Sequence, residues 1–217
     1  MRAAWLALVL TAAALPSFAG AGPVLELDFT NPSLMPAHWV LSLHPDGSGH
    51  FRSERGNAPM DPAEGFEPAD VDRDIQVSTQ FAGRVLAIAH QHNSFVAGCE
   101  SHMKVAFQGW KKLTYRGPDG TGSCTFNYSK DKEIQALGES LVAVANAIVE
   151  GARLETLLQH DRLGLDKEMD FLVEATGDGR IQQICTIRTI LERLAGDPEV
   201  MERVRKRARV LLARTAG

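Results

Sequence analysis

The residues of this chain whose types and spacing could do chemistry are a group of histidines and cysteines near its middle. One residue separates His90 from His92, and two residues separate Cys99 from His102. Four possible nitrogen or sulfur ligands therefore fall within thirteen residues. Zinc takes four such ligands in a tetrahedral site. The spacings match no zinc signature, however, and histidines at a helix end are also favoured by the helix dipole. The preferred interpretation is surface histidines without a metal, and these four residues are the candidates if one is bound.

The cysteines have a second explanation, because a disulfide is the default pairing in an exported protein, and export is predicted below. In a straight hairpin Cys124 would lie opposite Thr114, fifteen residues from Cys99. An extended chain of that length covers about 50 Å, whereas bridged Cα atoms lie within about 7 Å. A disulfide between Cys99 and Cys124 therefore requires the chain to bend back, for example at Gly109. Cys185, beside the apolar stripe of a predicted helix, is expected to be a buried free thiol.

The serines, carboxylates and glycines give no catalytic or cofactor motif. Ser101 and Ser123 do not lie in a Gly-x-Ser-x-Gly nucleophile elbow. Acids such as Asp161 and Asp166 resemble helix caps and solvated faces. The glycine-rich stretch 117–122 is not followed by the Lys-Ser/Thr pair of a phosphate loop. We therefore predict no cofactor, and a hydrolase remains an alternative that no motif supports.

The charges of the chain limit its partners. Its 217 residues carry a formal net charge of −4, and nucleic-acid-binding domains usually have a basic excess, so no nucleic-acid partner is expected. The last predicted helix is nevertheless basic. We interpret its cations as a solvated face opposite an apolar stripe, and attachment to an anionic surface is the alternative. These cations are Arg203, Arg205, Lys206, Arg207, Arg209 and Arg214.

The amino terminus, residues 1–21, has the layout of a secretory signal peptide. Arg2 precedes the apolar run 3–15, Pro16 ends the run, and small residues allow cleavage after Ala19 or Ala21. The run is shorter than the roughly 20 residues that a transmembrane helix needs, and no second apolar span follows it. These features predict a soluble protein that is secreted or periplasmic, without a transmembrane segment in its mature chain.

Alternating apolar residues and turn sequences predict a β-rich region over residues 22–129. Two hairpins are expected, at 39–53 and 104–128, each around a Pro-Asp-Gly turn. A stretch rich in proline, glycine and acids, 54–73, is predicted to be an exposed loop. Apolar spacing from Thr79, the expected cap, to His90 predicts one helix packed on the sheet.

Helical periodicity continues through the remainder of the chain, 130–217. Ser129 is expected to cap the first helix, which runs to Gln159, and two more are predicted around 165–176 and 181–194. Asp197 and Pro198 have the preferred arrangement for starting a fourth. Short connections make these helices antiparallel neighbours. The sequence therefore predicts an α+β fold, in which an antiparallel sheet with one packed helix (24–129) precedes a region of about four helices packing on it.

These observations favour a non-enzymatic exported module that binds a ligand or a protein partner through its sheet or its acidic loop. The alternatives are a metal-binding protein or hydrolase that uses His90, His92, Cys99 and His102, and peripheral attachment through the basic last helix.

Overall fold

The structure, a computed structural model, describes residues 22–56 and 70–214, which form six strands and five α-helices. The predicted α+β fold is confirmed: an antiparallel sheet with one helix is followed by helices alone. The predicted signal peptide, 1–21, lies outside the described residues, as do residues 57–69 of the predicted acidic loop and the last three residues, 215–217.

The sheet is antiparallel throughout, with the strand order β4-β3-β2-β1-β5-β6. Burial alternates along β1 and β2, so one face packs on helices while the other carries polar side chains, as is common for antiparallel sheets. The strands are β1 (Val24–Thr30), β2 (His38–Leu43), β3 (Ser48–Glu54), β4 (Asp72–Gln76), β5 (Trp110–Gly117) and β6 (Gly120–Phe126).

The β5–β6 hairpin differs in two ways from the hairpin expected at 104–128. Its first strand begins at Trp110 and not at Lys104, after Gly109 bends the chain with a φ of +115°. Gly117 pairs with Gly120, so the turn has two central residues and Cys124 lies opposite Leu113. The expected partner, Thr114, was one residue off because a two-residue turn shifts the register by one position.

The five helices are α1 (Thr79–Gln91), α2 (Lys132–His160), α3 (Gly164–Gly177), α4 (Arg188–Gly196) and α5 (Glu202–Arg214). Two predicted caps are displaced. Ser78, not Thr79, caps α1 by accepting a hydrogen bond from the backbone N–H of Phe81. Asp131, not Ser129, caps α2 by accepting from two N–H groups, and Ser129 Oγ instead accepts from Asp131 N–H. The carboxylate of Asp131 makes charge-assisted bonds to the N–H groups of Glu133 and Ile134, which are stronger than those of a hydroxyl.

The predicted third and fourth helices begin later than expected. Residues 181–183 form a loop in which Gln183 has a φ of +52°, and a 3-10 turn, Ile184–Ile187, precedes α4. Pro198 lies in a turn before α5, in which Asp197 Oδ1 accepts from Glu199 N–H. The apolar spacing over 181–187 correctly predicted which of these residues are buried but wrongly predicted an α-helix. The stretch leads from α3 to α4 and packs on α2 along the way.

Two apolar clusters share α2. The first combines the inner face of the sheet with α1 and the amino-terminal part of α2, and the second combines the remainder of α2 with α3, α4 and α5. Gly151 allows the close approach within the second cluster, since a Cβ there would collide with the side chain of Ile187. The 29-residue helix α2 therefore connects the sheet to the other helices.

Candidate ligand-binding cleft

The four candidate metal ligands, His90, His92, Cys99 and His102, have separate partners in the structure. Cys99 is bonded to Cys124, with their Cα atoms 5.6 Å apart, so its sulfur is not available as a ligand. His90 and His92 each face carboxylates, and His102 is exposed. Cys185, expected to be buried, is a half-buried free thiol whose pKa is raised by desolvation.

His90 belongs to a network that fixes the β5–β6 turn. Its Nδ1 lies 2.7 Å from Asp119 Oδ2, while Tyr115 Oη donates to Asp119 Oδ1 at 2.6 Å. Desolvation, followed by the bond to Asp119, raises the pKa of Tyr115 to about 12. The same bond holds the pKa of Asp119 below its usual value, with His90 contributing. The phenol stays neutral, and the network stabilises the turn.

His92 lies between two carboxylates at the start of α2. Its Nε2 is 3.0 Å from Glu133 Oε2 and its Nδ1 is 3.5 Å from Asp131 Oδ2. Among the described residues, these three form the only group of three or more His, Cys, Asp or Glu whose ligand atoms all lie within 4.8 Å of one another. Asp131 already caps α2 with its other oxygen, and the positive helix terminus disfavours a cation there. The geometry is that of a histidine held between carboxylates by a hydrogen bond to Glu133.

A cleft of about 610 Å³ lies between the end of β1, β5, α2 and the end of α3. It is mainly apolar, and its apolar walls are Phe29, Leu34, Val142, Phe171 and Ile181. Its charged and polar groups include Lys111, Glu139, Asn146, Glu150 and Arg180. None of the described residues that line it is a serine, cysteine or histidine, and its titratable side chains are carboxylates, one lysine and one arginine.

The sheet supplies one side of the cleft. Phe29 and Lys111 are opposite each other in the β1–β5 register, and both lie on the face that is covered by helices. Phe29 stacks on Trp39 with ring centroids 4.9 Å apart, and Gly109 leaves room beside the Phe29 ring, where a Cβ would collide. These contacts hold the Phe29 ring in one position, so this wall of the cleft is preformed.

Helix α2 and the loop after α3 supply the opposite side. Val142 and Asn146 lie one turn apart on α2 and both line the cleft. Asn146 Nδ2 donates to the carbonyl of Arg180 at 3.2 Å, and the N–H of Gln182 donates to the carbonyl of Ala143 at 3.1 Å. The two hydrogen bonds fix the loop on α2 and hold the cleft open at a defined width.

Lys111 is a buried cation at the inner end of the cleft. It is only 3% exposed, and its Nζ donates to the carbonyl of Asn127 at 3.1 Å and, more weakly, to that of Gly109 at 3.5 Å. The ammonium also lies 5.6 Å from the ring centroid of Phe126. Desolvation lowers the pKa of Lys111, and the negative charges of Glu139 and Glu100 oppose that shift.

Arg180 lies at the other side of the cleft and covers an aromatic wall. Its guanidinium is 5.2 Å from the ring centroid of Phe171 and forms ion pairs with Asp178 at 2.7 Å and Glu174 at 3.0 Å. Charges of both signs therefore border an apolar interior. The arrangement is suited to binding a mainly apolar molecule that has a polar end.

The basic helix α5 does not present its cations freely. Arg203 and Arg207 pair with Asp166 of α3 at 2.6 and 2.7 Å, and Arg207 also reaches Asp170. Arg205 and Arg209 pair with Glu202 of their own helix. The positive face predicted from the sequence is therefore largely balanced by neighbouring carboxylates. Among the described residues, no helix is both long and apolar enough to span a bilayer.

The sequence did not indicate the cleft, since its residues come from β1, β5, α2 and α3 and share no motif. The one available signal was Lys111, a charged residue at an inward position of a strand. Comparison with protein-family models and with curated proteins found no match for this chain.

Proposed function

We propose that this protein is a non-enzymatic, exported binding module that holds a small, mainly apolar ligand in the cleft between its sheet and α2. The cleft carries the proposal: its volume of about 610 Å³ and its apolar walls are those of small-molecule sites, which usually occupy roughly 300–1,000 Å³. The amino-terminal sequence supports export, and the pairing of Cys99 with Cys124 is typical of oxidising compartments.

The polar groups of the cleft suggest how the ligand is oriented. Lys111 is buried at the inner end beside Glu139, whereas Arg180 and Phe171 lie toward the loop that follows α3. An uncharged or zwitterionic ligand fits this mixture better than a strongly charged one, because the bordering charges have both signs. The ligand's apolar part would contact Phe29 of β1 and Val142 of α2, which both line the cleft.

The experiment is a titration of the purified protein with N-phenyl-1-naphthylamine, a neutral apolar fluorophore. We expect saturable binding that Val142→Trp abolishes by filling the cleft and Leu34→Asp weakens at least tenfold by placing a charge at its wall. Leu163→Asp is the matched control, because Leu163 is also an exposed leucine but lies away from the cleft. It should bind the fluorophore as the unmodified protein does.

Circular dichroism and urea unfolding establish that each variant is folded before its binding is compared. Absence of saturable binding to the unmodified protein would overturn the proposal. So would equal affinities in the Leu34→Asp and Leu163→Asp variants, because a site elsewhere would then hold the fluorophore.

A further inference from the structure

Four large apolar side chains are exposed together on the segment that enters β5. Met103, Val105, Phe107 and Trp110, called here the apolar segment, are exposed to 52%, 39%, 51% and 48%. Phe107 and Trp110 are in edge-to-face contact, with ring centroids 5.9 Å apart. Single exposed apolar residues are normal, but a contiguous group marks a surface that contacts a partner or a membrane.

The backbone that carries the apolar segment is held in place. Glu100 accepts hydrogen bonds from the N–H of Asn127 at 2.7 Å and of His102 at 3.1 Å. The side chain of Asn127 accepts from the N–H of Gln108 and donates to the carbonyl of Ala106. The disulfide at Cys99 ties the start of the segment to β6. These bonds fix the backbone of the apolar segment, so its four apolar side chains are held in exposed positions.

The charged side chains within the stretch that carries the apolar segment are of one sign. Between Ser101 and Pro118 the chain has four lysines and arginines and no aspartate or glutamate, although its formal net charge is −4. Lys111 is buried, and Arg116 pairs with Glu26 at 2.7 Å. Lys104 and Lys112 remain exposed, and neither forms an ion pair within the part of the chain that the structure describes.

Lys112 is positioned by the sheet. It shares the outer face of β5 with Trp110, two residues earlier, because side chains alternate along a strand. Its cross-strand neighbour is Asp28, whose carboxylate is instead 3.0 Å from His38 Nε2. An exposed cation therefore lies next to an exposed indole at the edge of the apolar segment.

We propose that the apolar segment docks this protein on an anionic lipid surface. Its four apolar side chains enter the boundary between headgroups and acyl chains, and Lys104 and Lys112 contact lipid phosphates. Tryptophan, phenylalanine and lysine together are typical of membrane interfaces. Protein–protein interfaces are also rich in aromatic residues but are depleted of lysine. The lysines therefore favour lipid, and they occupy a different surface from α5, four of whose arginines are already paired.

The test is sedimentation of the purified protein with phosphatidylcholine vesicles that do or do not contain phosphatidylglycerol. We expect binding to the anionic vesicles and a blue shift of tryptophan fluorescence as Trp110 leaves water. The double variant Phe107→Ser/Trp110→Ser should lose at least tenfold in vesicle affinity. Each lysine near an anionic surface contributes about fivefold, so Lys104→Gln/Lys112→Gln should lose roughly 25-fold, and added salt should mimic that loss.

Two matched controls separate the apolar segment from general surface effects. Leu163→Ser/Val210→Ser removes two exposed apolar side chains elsewhere, and Lys167→Gln/Lys206→Gln removes two exposed lysines from α3 and α5. Both should bind anionic vesicles as the unmodified protein does. Equal losses in the segment variants and their controls would overturn the proposal.

Two further results would also overturn it. Equal binding to vesicles with and without phosphatidylglycerol would show that anionic headgroups are not recognised. Absence of vesicle binding, together with a dimer that Phe107→Ser/Trp110→Ser converts to a monomer, would assign the apolar segment to contact between two copies of the chain. The inference does not depend on the ligand cleft, because the fluorophore and vesicle assays are altered by different residues.

Discussion

Removing the bond between Cys99 and Cys124 should destabilise the protein by an amount that follows from its place in the chain. The two cysteines are 25 residues apart, and closing a loop of that length restricts the unfolded chain by about 3.5 kcal/mol at 25 °C. Both cysteines are buried, with 5% and 7% of their surface exposed. Reduction deletes neither side chain, so a reductant removes the cross-link without removing a heavy atom from the core.

The assay is urea unfolding with and without reductant, combined with a count of alkylated thiols. We expect one reactive thiol in the denatured, unreduced protein and three after reduction, since the chain has three cysteines. The free energy of unfolding should fall by about 3–4 kcal/mol on reduction. Cys99→Ala/Cys124→Ala should show no response to reductant, and Cys185→Ala should respond as the unmodified protein does. The order of the apolar segment depends on the same bond, so vesicle binding should fall as well.

Three reactive thiols before reduction would refute the disulfide itself. A free energy of unfolding that reduction leaves unchanged, despite a change from one thiol to three, would refute the argument that the cross-link acts through the unfolded chain.

Four further substitutions test the packing and electrostatics by urea unfolding. Gly151→Ala should lower the free energy of unfolding by about 1–3 kcal/mol because its methyl group would collide with Ile187. Gly83 is a helical glycine with open space around it, so Gly83→Ala should raise the free energy of unfolding by up to about 1 kcal/mol. If both glycine variants lost stability equally, the packing argument would be contradicted. Desolvation raises the pKa of Glu100, but hydrogen bonds from Asn127, His102 and Ser101 outweigh it, so the folded pKa lies below the usual 4.5. The stabilisation that Glu100→Gln removes should therefore be fully present when the pH is above the usual carboxyl pKa, and it should disappear as the pH falls through the lower folded pKa. A difference in unfolding free energy between the two proteins that did not vary with pH would show that the charge of Glu100 is irrelevant. Tyr115→Phe should cost about 0.5–1.5 kcal/mol by removing the bond to Asp119, and an unchanged midpoint would show that this bond adds nothing to the turn.

Local rules were sufficient where one segment could satisfy its own backbone and bury one face. The alternation in β1 and β2 and the helical spacing in α2 each indicate the element and its buried side, because strands and helices place apolar residues with periods of 2 and 3.6. Local rules were insufficient where partners compete. Ser129 has the side chain of a cap, yet Asp131 two residues later caps α2, and that choice depends on how the chain leaves β6.

The candidate sites show the same division more clearly. A shared metal was only the alternative interpretation of the histidine and cysteine spacing. In the structure Tyr115 and Asp119 hold His90, Glu133 and Asp131 hold His92, and Cys99 is bonded to Cys124 of β6. The sequence contained every one of those partners without indicating which would be close. Side chains far apart in sequence become neighbours through the sheet register and through α2, and no local pattern encodes either.

The sequence by itself determined the α+β class, the alternation of the sheet, the helical second half and the predicted signal for export. Each depends on composition or periodicity within a short stretch. Only the tertiary structure decided that Lys111 is buried beside a cleft, that four arginines of α5 are paired with carboxylates, and that Phe107 and Trp110 remain exposed. Burial and ion pairing are properties of two surfaces in contact, and folding alone brings those surfaces together.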